Sequence, residues 1–273
     1  MDPLVSIIMP TYNRAKLIER AIQSILSQSF KEWELIIIDD CSTDETPQVL
    51  SSWAKKDPRI KALINKKNNY PDISKTLNRG LEESRGKYVA RLDDDDYWCD
   101  PNKLKKQTEF LEKHPDYVLC GGGVIVVDGE DKELFRYLKN EKDEDIRRRA
   151  LFSNPFSHTT TMFLKEKAKK VGGYGNWHYA EDWDLWLKLG EIGKFYNFPE
   201  YFTRYLMAGQ NKSFVYQKAQ SKMISQIITK HRKNYPNFWR AYCLNMAQYF
   251  YSFLPLFLRA LLHPILSRFK RSI

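Results

Sequence analysis

Four consecutive aspartates, Asp93 to Asp96, follow the expected core strand 89–92 and precede Tyr97 and Trp98. Carboxylates crowded this closely repel one another, so they take up protons or gather a cation. A solvated acidic loop is the plain alternative, but charge set between apolar segments is badly placed to be only surface. Hard oxygen donors favour Mg2+ or Mn2+, with phosphate oxygens completing the shell. No His/Cys cluster competes for a softer metal. The best-spaced pair is Asp93 and Asp95, with Asp94 and Asp96 as support. A second pair, Asp39 and Asp40, closes another β-branched run. It could cap a turn or accept hydrogen bonds from a nucleobase or ribose, and Tyr12, close after Pro10, could stack on that base. A third pair, Glu181 and Asp182, precedes Trp183 and Trp186. Acidic residues suit a first helical turn. The sharper reading makes one of them a general base, desolvated among aromatics until its proton affinity nears neutrality. Tyr174, Trp177, Tyr179 and Trp183 could form a sugar-stacking platform, or simply core.

The elements that must position these groups alternate between two periods. Apolar runs at 5–9, 34–38, 60–64 and 87–92 read as strands, and helical patterns cover 16–28, about 45–55 and a segment from Asp72 or Ser74 to Ser84, stopped by Gly86. Strand–helix alternation predicts an α/β fold with a mainly parallel sheet covered by helices. Right-handed crossovers then bring every strand's carboxyl end, and with it each polar cluster, to one crevice. Beyond Pro101 the pattern loosens: a helix over 103–113, an apolar run over 117–127, a strand over 156–164, a short helix opened by Glu181 and Asp182, and a helix over 214–233. The chain has no GxGxxG, GxxxxGK[ST] or GxSxG pattern, which removes the dinucleotide, P-loop and serine-hydrolase readings.

Composition sets the outer limits. A chain of 273 residues, 42% hydrophobic and 29% charged, can fold without disulfides or metals and is neither disordered nor a disulfide scaffold. Its four cysteines, Cys41, Cys99, Cys120 and Cys243, form no CxxC pair and read as reduced thiols. The first residues show no secretory signal, so a cytoplasmic chain is expected. The net charge of +10 is uneven: residues 201–273 hold twelve Lys and Arg and no Asp or Glu. Charge therefore divides the chain into a domain over 1–213 (a nucleotide-binding half over about 1–100, an acceptor half over about 101–213) and a basic, aromatic helical tail over 214–273.

The segment Val5-Ser6-Ile7-Ile8-Met9-Pro10-Thr11-Tyr12-Asn13-Arg14 resembles the opening of family 2 glycosyltransferases, which have the GT-A fold. Residues 36–44 continue the likeness, with Cys41 where the family more often has Gly, as do 77–81, 85–90, 92–98, Gly172-Gly173-Tyr174 and 181–186, in order from about 5 to 213. The resemblance implies inverting transfer of a sugar from a nucleotide-sugar donor, UDP-linked, to an acceptor hydroxyl. It implies that Asp40 reads the uracil with Pro10 and Tyr12 beside it. It likewise implies that Asp93-x-Asp95 is the DxD motif, Asp95 being the direct ligand of Mn2+ or Mg2+ with Asp93, and that Asp94 touches sugar or ribose. Asp182 matches the base, with Glu181 as second choice. Many relatives carry a histidine in the segment matching 205–213; this chain has none there, and Gln210 and Lys212 are the nearest substitutes.

The tail is read separately. Phe238, Trp239, Tyr242, Met246, Tyr249, Phe250 and Phe253 recur at helical spacing, and the uncharged stretch 241–258 is interrupted by Asn245, Gln248, Ser252 and Pro255. A span is disfavoured. An in-plane amphipathic anchor on an anionic leaflet, holding the chain on the inner face of the cell membrane, fits better. The competing expectation packs the tail on its own domain or on a second copy, as a homo-oligomer. Nucleic acid is not expected as a partner, because it leaves the acidic crevice unexplained. The acceptor suggested by such a tail is a glycan or lipid-linked one in cell-surface polysaccharide or glycolipid assembly. Two other classes stand beside this reading: a catalytically silent, membrane-recruited scaffold, and a nucleotidyltransferase.

Overall fold

The computed structural model describes residues 3–178, 180–207 and 217–253. Strands β1 (Val5–Thr11), β2 (Trp33–Asp39), β3 (Ile60–Ile64) and β4 (Tyr88–Arg91) run parallel, and their spatial order is β3-β2-β1-β4. Residues on β1 and β2 are buried on both faces, which is why these strands read as continuous apolar runs. The pleat sorts them: Ile8, Ile36 and Ile38 join one core, Ile7, Met9, Leu35 and Ile37 the other. Helices α1 (Ile18–Leu26), α2 (Thr46–Lys56) and α3 (Ile73–Glu83) make the crossovers. Pairing of β1 with β4 stops at Ile8 and Arg91, so Pro10, which has no N–H to give, lies beyond that ladder.

The order reverses beside β1: the chain steps outward to β2 and β3, then returns to β4 on the other side. Such a switch point opens a crevice outside the carboxyl ends of the strands. The segment before β4 is tied to β1 and β2 beneath it by Gly86, whose N–H donates to Ser6 Oγ at 2.8 Å while Ser6 Oγ donates to Glu34 at 2.7 Å.

The second half extends the same sheet with mixed pairing. It comprises β5 (Tyr97–Trp98), β6 (Tyr117–Val127), β7 (Glu133–Tyr137), β8 (Met162–Leu164) and β9 (Lys194–Leu206), in the order β4-β8-β6-β9-β5 with β7 on β6. Helices α4 (Lys103–Lys113), α5 (Asp143–Arg149), α6 (Lys165–Lys170) and α7 (Glu181–Gly190) cover it. The strand expected over 156–164 is only its last three residues, because Ser157 O and His158 O accept from Thr160 and Thr161 N–H and wind the preceding part into a 3-10 turn. The longest strand of this half, β9, was not read from sequence: Pro199 interrupts it, and its pairing with β6 is irregular around Gly121–Gly123.

Helices α8 (Gln217–Lys230) and α9 (Phe238–Tyr251) form the described part of the tail. Asn245 joins them, donating to Ser221 O and Ser225 Oγ. The end of α8 is clasped to α7 by charge. Fully buried Asp184 accepts from Lys230 at 2.7 Å and His231 Nε2 at 3.0 Å and pairs with Lys188 at 3.0 Å. Burial would raise that carboxyl, but the bonds from His231, Lys230 and Lys188 hold it well below the usual carboxylate range. Among the described residues no helix is long and apolar enough to cross a membrane. Residues 254–273, which carry the apolar and basic end of the expected anchor, lie outside the described residues.

Candidate active site

A cleft of about 620 Å³ lies at the carboxyl ends of β1, β2 and β4. Pro10, Tyr12, Asp40, Asp93, Asp94 and Asp95 line it from the first half, and Glu181 from α7 faces them. Seven of the eight expected site residues therefore share one cavity. Asp182, the eighth, is turned aside: Oδ2 accepts from Asn154 Nδ2 at 2.7 Å and Oδ1 from Trp183 N–H at 2.7 Å. Gln210, Lys212 and Tyr179 lie outside the described residues.

The four aspartates separate into distinct roles once their neighbours are known. Asp93 is bound by Arg91 Nη2 at 2.6 Å. Asp94 is pushed up to about 7 by burial and by the charge of Asp95. The Arg14 guanidinium stands 3.8 Å from Asp94 and 3.9 Å from Asp95. Asp96 does not line the cleft; it accepts the Leu206 N–H at 3.0 Å and thereby ties the end of β9 to the loop. Burial, then Asp93 and Asp95, raise its carboxyl well above the ordinary value. The structure thus makes Asp96 a brace rather than a ligand.

Arg91 is the floor of the site and was not singled out from sequence, since a lone arginine at a strand end carries no pattern. Only 1% exposed, it donates from Nη1 to Ile8 O at 2.6 Å and Leu92 O at 3.1 Å, from Nη2 to Asp93, and from Nε to His158 Nε2 at 3.0 Å. Because Nε2 of His158 accepts from a guanidinium, that ring is neutral, and burial with Arg91 nearby holds its basicity well below normal. Tyr174 O–H completes the group, 3.0 Å from the same nitrogen.

Asp40 is the most constrained carboxylate of the site. Oδ1 accepts from Asn65 Nδ2 at 2.7 Å, Asn69 Nδ2 at 2.9 Å and Thr76 Oγ1 at 3.2 Å, and Oδ2 from Asn69 N–H at 2.9 Å. It organises the 65–76 loop while facing the cleft. Asp39, its neighbour, is wholly buried and accepts from Ser42 instead. Across the cavity, burial and the neighbouring Asp182 push Glu181 up to about 8. Its Oε2 is buried with no hydrogen-bond partner. Burial raises Asp182 as well, against the bond from Asn154. Burial thus favours the protonated form of both carboxyls.

The donor set suits a hard divalent ion. Among the described residues no three His, Cys, Asp or Glu side chains converge as a closed cage. Two carboxylates on an acidic loop whose neighbour Asp94 is raised by burial and then by the charge of Asp95 do fit a site that substrate phosphates would complete. Asp95 and Asp93 are the residues that would hold it.

A mainly parallel sheet with a switch-point crevice, an Asp93-x-Asp95 loop on one wall and Glu181 on the other has the architecture of the GT-A fold. The fold is matched by S. aureus TarS in complex with UDP-GlcNAc, at a TM-score of 0.67 and 20% identity over 93% of this chain and 73% of that one. It is matched also by the mannosyltransferase PcManGT from Pyrobaculum calidifontis in complex with GDP-Man and Mn2+, at 0.66 and 19% over 90% and 70%. The model of glycosyl transferase family 2 matches residues 6–172. A putative glycosyltransferase of Bacillus subtilis (strain 168), EpsE, is 38% identical over 72% of this chain and 71% of its own. The GalNAc(5)-diNAcBac-PP-undecaprenol beta-1,3-glucosyltransferase of Campylobacter jejuni is 32% identical over 71% of this chain and 62% of its own. This chain belongs to glycosyltransferase family 2.

Proposed function

We propose that the chain transfers a sugar, with inversion, from a UDP-sugar to a hydroxyl of a glycan or lipid-linked acceptor in cell-surface polysaccharide or glycolipid assembly. The observation that carries this reading is the single cleft shared by Asp40, the Asp93–Asp95 loop and Glu181. Asp40 accepts from the base, Tyr12, 43% exposed at the rim, stacks on it, and Asp94 contacts sugar or ribose. Asp95 with Asp93 would hold Mn2+ or Mg2+, which when bound supplies Lewis-acid stabilisation for the departing diphosphate. Glu181 and Asp182 take the acceptor proton. Inversion is supported by Glu181, which faces the acidic loop across the cleft and could receive a hydroxyl attacking from the face away from the leaving group. The relatives support the acceptor class: the Campylobacter enzyme is named for an undecaprenol-diphosphate-linked glycan.

Transfer or hydrolysis of a UDP-sugar panel tests the reading. Turnover that releases UDP and falls at least about 100-fold in Asp95→Ala and Asp182→Asn supports it. Release of pyrophosphate would make the chain a nucleotidyltransferase, and absence of turnover across the panel would leave a scaffold.

The tail is proposed to rest on the inner face of the cell membrane. On α9 the side chains of Trp239 and Phe250 are exposed, as is Phe253 just after it, and no acidic residue accompanies the twelve basic ones from 201 onward. Each basic residue near an anionic leaflet contributes about 1 kcal/mol. Flotation with phosphatidylglycerol vesicles should recover the chain at low salt and lose it at high salt. A chain that stays with the soluble fraction at low salt would defeat this part.

A further inference from the structure

Behind Asn154 lies a second cavity, of about 240 Å³, between the segment after β7, α5 and the 153–155 loop. Lys139 and Arg149 both line it, and no acidic side chain does. The three successive arginines ending α5 are not alike. Arg147 pairs with Asp143 at 2.8 Å and Arg148 with Asp145 at 3.2 Å. The guanidinium of Arg149 has neither a hydrogen bond nor an ion pair among the described residues. Lys139 Nζ gives one bond, to Asn154 O at 2.7 Å, leaving two of its donors unused. Burial lowers its ammonium to about 8. The charge of Asp182 acts on Lys139 against that burial, whereas Arg149 has no counter-charge among the described residues, so the cavity holds an excess of positive charge that an anion would offset.

Asn154 fixes where this cavity stands in the reaction. Its carbonyl accepts from Lys139, and its side-chain amide donates to Asp182 at 2.7 Å. One residue therefore separates the cavity from the carboxylate pair that receives the acceptor hydroxyl. We propose that this cavity is an anion subsite in which Lys139 and Arg149 hold a phosphate group carried by the acceptor, so that its sugar hydroxyl is presented to Glu181 and Asp182. The proposal rests on the glycosyl-transfer reading above. A guanidinium fork and an ammonium together match a doubly charged phosphate better than a single carboxylate.

The test is calorimetric titration of the full chain with inorganic pyrophosphate, with the donor cleft saturated by UDP, beside a parallel titration with glucuronate. The expected result is pyrophosphate binding that persists under UDP. It should weaken at least tenfold in Lys139→Met and in Arg149→Met, and stay within about threefold of wild type in Lys139→Arg, a variant that keeps the charge if Lys139→Met fails to fold. Equal pyrophosphate affinity in wild type and Arg149→Met, or binding abolished by UDP, overturns the proposal. Glucuronate binding in place of pyrophosphate overturns the phosphate assignment. A wild-type chain that binds no UDP counts against the donor reading alone, since the comparison of pyrophosphate affinities between wild type and variants still stands.

Discussion

Asp40→Asn exposes the double duty of one carboxylate. A carboxylate offers about four acceptor positions. The Asn65, Asn69 and Thr76 side chains crowd Oδ1, while the Asn69 N–H takes one position on Oδ2 and leaves the other for a ligand N–H. An amide has only one oxygen. If it sits at the Oδ1 position, the new NH2 confronts the Asn69 N–H and any base N–H; if it flips, the NH2 confronts three donors. Either way at least one charge-assisted bond goes, about 1.5–3 kcal/mol of stability, less where water reaches the half-exposed loop. At the ligand an acceptor becomes a donor, and a loss of about 1.4–2.8 kcal/mol corresponds to about 10–100-fold in UDP affinity. Urea denaturation and UDP calorimetry on wild type and variant measure the two effects separately. A variant whose UDP affinity stays within threefold, with stability unchanged within about 0.5 kcal/mol, would refute the reasoning.

Other outcomes follow from the same geometry. With Glu181 pushed up to about 8, kcat/KM should climb with pH to a plateau above that value. Glu181→Gln, which removes the repelling charge beside Asp182, should move the limb to lower pH; an unmoved limb would show that the pair does not titrate together. Lys103 is fully buried, donates to Gln107 at 2.7 Å, and burial lowers its ammonium to about 7. The unfolded chain then holds more protons than the folded one between about 7 and 10, so wild-type stability rises with pH over that window. Denaturation of Lys103→Met at pH 7 and 10 should lack this rise, and equal slopes would count against it. Gly86→Ala would place a methyl 2.6 Å from Ser6 N and 2.8 Å from Val5 C. Backbone cannot retreat as a side chain can, so a loss of about 3 kcal/mol or more in chemical denaturation is expected.

The first half of the fold was legible because its physics is local. Doubly buried parallel strands must be apolar throughout, crossovers have one hand, and polar clusters that follow such strands have one edge on which to gather. Of those clusters Pro10–Tyr12, Asp40 and Asp93–Asp95 did gather there, while Asp39 and Asp96 do not line the cleft. The second half resisted the same reading. Its sheet is completed by β9, whose Pro199 and irregular register hide the period of two, and by a β8 only three residues long. Pairings between strands distant in sequence leave no signature in either one.

Sequence alone determined which residue types would face the crevice and, through ordered motifs, the family. Only tertiary structure decided how four identical aspartates divide their work, because their partners are set by the fold: Arg91, itself held by distant His158, for Asp93, Arg14 for Asp94 and Asp95, and Leu206 for Asp96. It also decided that Glu181 faces the cleft while Asp182 leans on Asn154, beside a cavity whose two cations no motif foretold. Side-chain type travels with the chain, but proton affinity and charge compensation belong to the surroundings, and folding alone assembles those.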